Sequence, residues 1–390
     1  MPTNLASPGS SSSIRAFPFI DLKAQYRAMK AEIDAAIARV MDSQQFILGP
    51  EVESFEAEIA NYCGSRFAVA CASGSDALLL ALMALKIGPG DEVVTTPFTF
   101  VATAGAIARL GARPVFVDID PSTYNIDGRK LQPAITSKTR AILPVHLFGM
   151  AAEMDSIVEI ANRGSVPVVE DAAQAIGATY RDRAVGSIGL CGCFSFFPSK
   201  NLGAAGDGGM LTTNDEKVAD RLRVLHLHGG RRKYEYEQIG MNSRMDALQA
   251  AILRVKLHRL DSWAARRKHN AQRYAELFED RGLTSILRLP QVAAGCTHVY
   301  HQYVIRAPER DELQAFLRNR DVPSEIYYPL PLHLQPAFRH LQYQCGDLPQ
   351  SEMASREVLA LPIFPEMTEE QQTLVVDSIA AFYRDTNRRR

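Results

Sequence analysis

Along the first half of the chain, short apolar runs alternate with longer stretches whose apolar residues recur at helical spacing. The runs at 67–71, 91–96, 114–118, 141–145, 166–170, 188–197 and 209–213 are rich in Val, Ile, Ala and Phe and read as strands. Segments 76–86, 102–110 and 154–163 place apolar residues three and four apart, as a helix with one buried face requires. Strands that stay apolar on both faces, separated by helices, belong in a mostly parallel sheet covered on both sides.

Two helical segments precede this region, 23–42 and 51–62. The second is opened by Pro50, which suits a first helical position. Downstream, 244–279 reads as a long helical stretch broken near Trp263. The remainder predicts a smaller α+β unit with a strand at 301–306, a helix at 309–320 and a last helix at 368–383. No internal repeat is present.

A chain of 390 residues is long enough for two such units. Net charge is -1, which removes any global electrostatic case for a nucleic-acid or membrane partner. No run of about 18 apolar residues occurs, so no membrane helix is expected. Residues 1–14 are rich in Ser, Pro and Gly with no apolar core, and read as a disordered tail, not a signal peptide. Cys63, Cys71, Cys191, Cys193, Cys296 and Cys345 are scattered. Cys191 and Cys193 would share one face of a strand, but two ligands do not make a zinc site, so no metal is expected. Reduced core thiols in a cytoplasmic protein fit this usage better.

Lys200 ends the apolar run Phe194-Ser195-Phe196-Phe197-Pro198-Ser199 and precedes a glycine-rich stretch, Gly203 to Gly209. Desolvation there would lower its pKa and free a neutral amine to attack a carbonyl; a solvated lysine at a strand end is the alternative. Ser73-Gly74-Ser75 follows one strand and opens a helix, which makes either an anion site or a plain N-cap. Asp171 closes the run 166–170 at the strand end where α/β proteins bind ligands, or caps the next helix. Gln174 can present an amide to the same place. Phe100 closes another strand and is either a stacking surface or an ordinary core aromatic.

In chain order these features are a phosphate turn, an aromatic, Asp-x-x-Gln and Ser-x-x-x-x-Lys. The set resembles the pyridoxal-phosphate (PLP) enzymes of the aspartate-aminotransferase fold, fold type I. More narrowly, the chain looks like the DegT/DnrJ/EryC1/StrS family of nucleotide-sugar aminotransferases. The likeness is carried by Pro18-Phe19-Ile20-Asp21-Leu22, Gln45-Phe46-Ile47-Leu48-Gly49-Pro50, Ser73 to Ala77 and Pro97-Phe98-Thr99-Phe100-Val101-Ala102-Thr103. It continues through Pro144-Val145-His146-Leu147-Phe148-Gly149, Glu170-Asp171-Ala172-Ala173-Gln174, Phe194 to Gly209 and Gly240-Met241-Asn242-Ser243-Arg244-Met245-Asp246.

The resemblance implies an α/β large domain over 61–262 with a mainly parallel seven-stranded sheet. It also implies a smaller α+β domain over 263–390, with the helices of 15–60 packing against that smaller domain. It makes Lys200 the Schiff-base lysine and proton carrier, and Asp171 the partner of the pyridine nitrogen. Gln174 would contact the ring oxygen, Phe100 would stack on the ring, and Gly74, Ser75 and Ser195 would bind the phosphate. Asn242 would reach the phosphate of a neighbouring subunit, so a homodimer with shared sites follows. Arg244, Tyr327 and Tyr328 would line the sugar-nucleotide side, also from the partner.

Relatives with histidine in place of the lysine dehydrate the sugar; lysine here points to transamination. Residues 239–249 look most like members that aminate 3-keto sugars, 3-keto uronic acids included, with L-glutamate as amino donor. The products would serve surface polysaccharide or a glycosylated metabolite. A 4-keto substrate is the alternative. A PLP-binding regulator is a further one, though no basic domain is appended for DNA.

Overall fold

The computed structural model describes residues 17–387; the expected tail at 1–14 lies outside them. The helices are α1 (Leu22–Ser43), α2 (Pro50–Tyr62), α3 (Gly74–Ala84), α4 (Val101–Arg109), α5 (Met154–Arg163), α6 (Glu216–Leu225), α7 (Ala247–Leu257), α8 (Leu260–Asp280), α9 (Arg310–Arg318), α10 (Pro349–Glu357) and α11 (Glu369–Asn387). The strands are β1 (Phe67–Cys71), β2 (Glu92–Thr95), β3 (Arg113–Phe116), β4 (Thr139–Ile142), β5 (Val169–Asp171), β6 (Thr179–Tyr180), β7 (Arg183–Ala184), β8 (Cys191–Ser195), β9 (Gly209–Thr213), β10 (Gly230–Arg232), β11 (Glu235–Tyr236), β12 (Tyr303–Arg306) and β13 (Val358–Leu361).

Four strands in the order β1-β9-β8-β5 and three in the order β3-β2-β4 join where Ile142 pairs with Val168 and Val145 with Asp171, both in parallel. The result is the expected seven-stranded, mainly parallel sheet. Only β9 runs against the rest, pairing antiparallel with β1 and β8. Alternation sorts the side chains into two layers. Val69, Cys71, Cys191, Cys193 and Leu211 face α3, α4 and α6. Ala68, Ala70, Phe194 and Met210 face α2, α5 and α7. The Cys191 and Cys193 thiols therefore do share one face.

The N-terminal helices do not pack against the smaller unit as expected. Met29 and Ile33 of α1 meet Ile252 of α7 and Trp263 of α8. Ala36, Val40, Val52, Phe55 and Ile59 join the core beneath the sheet, with Phe55 edge-on to Phe196 at 5.3 Å. Their apolar stripe specifies a buried face but not which core it is buried against. The α7–α8 break falls at His258–Arg259, earlier than expected, because Trp263 is an anchor against α1 and not an interruption.

The smaller core forms around the antiparallel pair β12–β13, with α8, α9 and α11 supplying Tyr274, Phe278, Leu313, Leu317, Val375 and Ile379. Phe98, Tyr124, Phe148, Val304 and Val358 fill the seam between the two cores. At the same seam Asp118 receives Ser351 N at 2.9 Å, Ser351 Oγ at 2.7 Å and Gln350 N at 2.9 Å, capping the start of α10. Five of the cysteines are buried; Cys345 is exposed, against the expectation of core thiols throughout.

Candidate active site

The parallel strands β2, β4, β5 and β8 end on one edge of the sheet, and their following loops surround a cavity of about 380 Å³. One end of it is built from glycine. Ser73 caps α3, accepting Asp76 N at 3.1 Å. A Cβ on Gly74 would lie 2.5 Å from Ser195 Cβ, and one on Gly209 would lie 2.3 Å from Ser73 O. Only glycine lets the start of α3, the end of β8 and the start of β9 meet so closely. The free N–H groups of the first α3 turn, beside Ser195, form a cradle for an anion such as phosphate.

Beyond the cradle lie Asp171 and Lys200, both on the cavity wall. Asp171 Oδ2 receives Thr103 Oγ1 at 2.8 Å and Oδ1 receives Ala173 N at 3.2 Å. Burial pushes the Asp171 carboxyl up from its ordinary value, while Thr103, Ala173 N–H and the Lys200 charge pull it back. Burial also lowers the Lys200 amine to about 8, opposed by the Asp171 charge. Among the described residues Asp171 is hydrogen-bonded by Thr103 and Ala173 N–H, and Lys200 acts on it through charge without an ion pair. A buried carboxylate in a cavity, with an anion cradle at one end and a depressed lysine beside it, fits PLP. A protonated ring nitrogen would complete Asp171, and the phosphate would take the cradle.

Phe100 sits at the N-cap of α4, on the cavity wall and 56 % exposed, where it is available for stacking. Gln174 Oε1 accepts Phe148 N at 2.7 Å, and its Nε2 donates to Tyr328 Oη at 3.1 Å. Tyr328 is in turn fixed edge-on to Phe98, ring centroids 6.0 Å apart. Tyr327 and Tyr328 thus line this chain's own cavity, correcting the expectation that they come from a partner. The segment after α9 returns across the strand ends and is held there by the aromatic seam. Asn242 and Arg244 do not line this cavity. Asn242 is exposed and bridges to Leu227; Ser243 Oγ, between them, donates to Asp76 Oδ2 at 2.8 Å, behind the first turn of α3.

On the opposite face of β5, Glu170 accepts Gly186 N at 2.8 Å, Ile188 N at 2.8 Å and Gly189 N at 2.7 Å, and faces His146 Nε2 at 2.9 Å. This network pins the strand end that carries Asp171. Sequence reasoning missed Thr99, Thr103, Asp207, His301 and Gln302 as cavity residues. Thr103 carries a signal, lying one position short of a full turn after Phe100 at the start of a helix. No local pattern marks His301.

Fold and site together define a PLP-dependent aminotransferase. The chain belongs to the DegT/DnrJ/EryC1/StrS aminotransferase family, whose model matches residues 27–380. It is 52 % identical to a pleiotropic regulatory protein of Geobacillus stearothermophilus, over 94 % of this chain and 98 % of that one. It is 46 % identical to the dTDP-3-amino-3,4,6-trideoxy-alpha-D-glucose transaminase of Streptomyces venezuelae, over 93 % and 95 % of the two chains. Among solved structures it is similar to S. venezuelae DesV in complex with a ketimine intermediate, with TM-score 0.90 and 45 % identity over 94 % and 98 % of the chains. No helix of the described residues is long and apolar enough to cross a membrane, and no cluster of metal-ligating side chains occurs among them.

Proposed function

We propose that this aminotransferase transfers an amino group, with L-glutamate as donor, to the 3-keto position of a sugar carried on a nucleoside diphosphate. The product would be an amino sugar for a surface polysaccharide or a glycosylated metabolite. The observation that carries the reading is the convergence of Lys200, Asp171 and the α3 cradle in one cavity at the strand ends. Similarity to a transaminase of a dTDP-3-amino sugar supports both the sugar nucleotide and position 3.

When bound, the cofactor supplies the electron sink and carries the amino group between donor and acceptor. Asp171 would hold the proton on the ring nitrogen. Gly74, Ser75 and Ser195 would bind the phosphate, and Phe100 would cover one ring face. Gln174, held by Phe148 N, would fix the ring oxygen. Lys200, with a free amine at accessible pH, would take the proton from the substrate carbon and return it.

Tyr327, Tyr328, Gln302 and Asp207 also line the cavity and would be available to sugar hydroxyls. Asn242 and Arg244 are not among the residues that line it, which leaves them free to serve a neighbouring copy in a homodimer. There Asn242 would meet the phosphate, and Arg244 a diphosphate or sugar carboxylate through its planar fork. Active enzyme reassembled from a Lys200→Ala chain and an Asn242→Ala chain would demonstrate the sharing; two inactive singles that stay inactive when mixed would exclude it. A cytoplasmic location goes with free thiols and a nucleotide-sugar substrate.

The deciding experiment is a reverse-reaction screen of 3-amino and 4-amino nucleotide sugars with 2-oxoglutarate, followed by cofactor absorbance. Turnover of 4-amino sugars only would move the reaction to C4. The regulatory name of the Geobacillus relative supports a second reading, a PLP-binding regulator. No turnover with any amino sugar, together with cofactor-dependent binding to DNA, would favour it.

A further inference from the structure

Thr103 lies in the first turn of α4, where a threonine hydroxyl commonly bonds back to a carbonyl one turn earlier. Here its Oγ1 lies 2.8 Å from Asp171 Oδ2 and 3.0 Å from Thr99 Oγ1. All three side chains are buried, at 1 %, 4 % and 3 % exposure for Thr103, Asp171 and Thr99. An ionised carboxylate only accepts, so Thr103 donates to Asp171. Its lone pair then receives the Thr99 proton, and the chain of donation runs Thr99 to Thr103 to Asp171.

We propose that Thr103, backed by Thr99, is a positioning residue that fixes the orientation and the negative charge of the Asp171 carboxylate. The inference rests on the reading of Asp171 as partner of the cofactor's ring nitrogen. The Thr103 hydroxyl and Ala173 N–H are the hydrogen-bond donors to this carboxylate among the described residues. The titratable groups facing it are Lys200 and Cys193 from β8 and its following loop, His146 from the loop after β4, and Tyr328 from the smaller unit. None of these four side chains hydrogen-bonds the carboxylate. With Oδ2 held by Thr103 and Oδ1 steadied by Ala173 N–H, the remaining lone pairs are aimed by the protein and not by the ligand. A hydroxyl that only filled space would be replaced by a methyl without consequence for Asp171.

The test is a carboxyl ¹³C NMR titration of the full-length protein, cofactor-free and cofactor-loaded, with the Asp171 resonance assigned by its loss in Asp171→Asn. In cofactor-free Thr103→Val, which keeps the side-chain volume, the Asp171 midpoint rises by about one unit, a roughly tenfold gain in proton affinity. Thr103→Ser restores the wild-type midpoint. Cofactor affinity, by equilibrium dialysis, falls about tenfold in the valine variant and not in the serine variant. An unmoved midpoint in Thr103→Val, or a serine variant shifted as far as valine, overturns the proposal. If Thr103→Val does not fold, Thr99→Val serves: a smaller rise supports the relay and none overturns it. A shifted midpoint combined with normal turnover by Asp171→Asn would leave the clamp standing and remove the role assigned to Asp171.

Discussion

The depressed Lys200 amine leads to a measurement on the cofactor-free protein. An ordinary lysine at 10.5 is about 0.1 % neutral at pH 7.5, whereas one titrating at about 8 is roughly one quarter neutral. The reactive amine is then about 240-fold more abundant. A pH series with an amine-acylating reagent, read by mass spectrometry on the Lys200 peptide, should give a midpoint near 8. Asp171→Asn removes the charge that holds this amine up, so its midpoint should fall further. The stability consequence has a definite sign. Between about 8 and 10.5 the unfolded chain holds the lysine proton that the folded chain has lost, so stability rises with pH across that window. Below pH 8 the buried charge costs up to about 3 kcal/mol, from 2.5 units at about 1.36 kcal/mol each. Lys200→Met should therefore stabilise the protein near neutral pH, and the gain should vanish by about pH 10.5. An acylation midpoint near 10.5, or one that rises in Asp171→Asn, would refute the reasoning.

Asp171→Asn keeps shape and removes charge, so steady-state turnover should fall by orders of magnitude while cofactor is retained; near-normal kcat would count against the assigned role. Glu170→Gln sets an amide N–H₂ among three backbone N–H groups and should lower stability by about 3–5 kcal/mol in denaturant melts. Burial opposes the Glu170 charge, but His146 and the backbone donors win and hold the carboxyl below 4.5, so this stability is present above that pH and lost as pH falls below it. Gly74→Ala forces a Cβ to within 2.5 Å of Ser195 Cβ and should weaken cofactor binding about tenfold or more by equilibrium dialysis; unchanged affinity would mean that the cradle does not hold the phosphate.

The sheet was legible because its strands are apolar on both faces and short, and because Asp171, Ser195 and the Ser73–Ser75 turn sit where such a run ends. Asp171 and Ser73 to Ser75 are strand-end or helix-start residues, and the cavity brings them together with Lys200. Helix α6 was not assigned from the sequence: its buried face, Ala219, Leu222, Val224 and Leu225, is interrupted by the charged Asp220, Arg221 and Arg223. Helix α10 was hidden in the same way, since its buried face contains Ser351, Glu352 and Ser355. The stripe on α1 announced a buried face but not what it would be buried against. Ownership of Tyr328 depended on a contact with Gln174, 154 positions away, that no periodicity encodes. Thr103 reaches Asp171 across 68 positions for the same reason.

The single exposed thiol gives the experimenter a handle. Cys345 is exposed on the segment 332–348 that packs against Ala104 and Phe116, its Sγ 3.3 Å from Glu352 Oε2, while the other five cysteines are buried. Its hydrogen bond to Glu352 raises the thiol pKa, so alkylation will be slow near neutrality and faster in mild alkali. Burial holds the Cys63 thiol up at about 12, which keeps it silent under the same conditions. A nitroxide or fluorophore introduced without any mutation would therefore mark one place per chain. In an assembly of two chains it would report one inter-label distance, a direct ruler for the arrangement in which Asn242 and Arg244 would meet a neighbour's cavity.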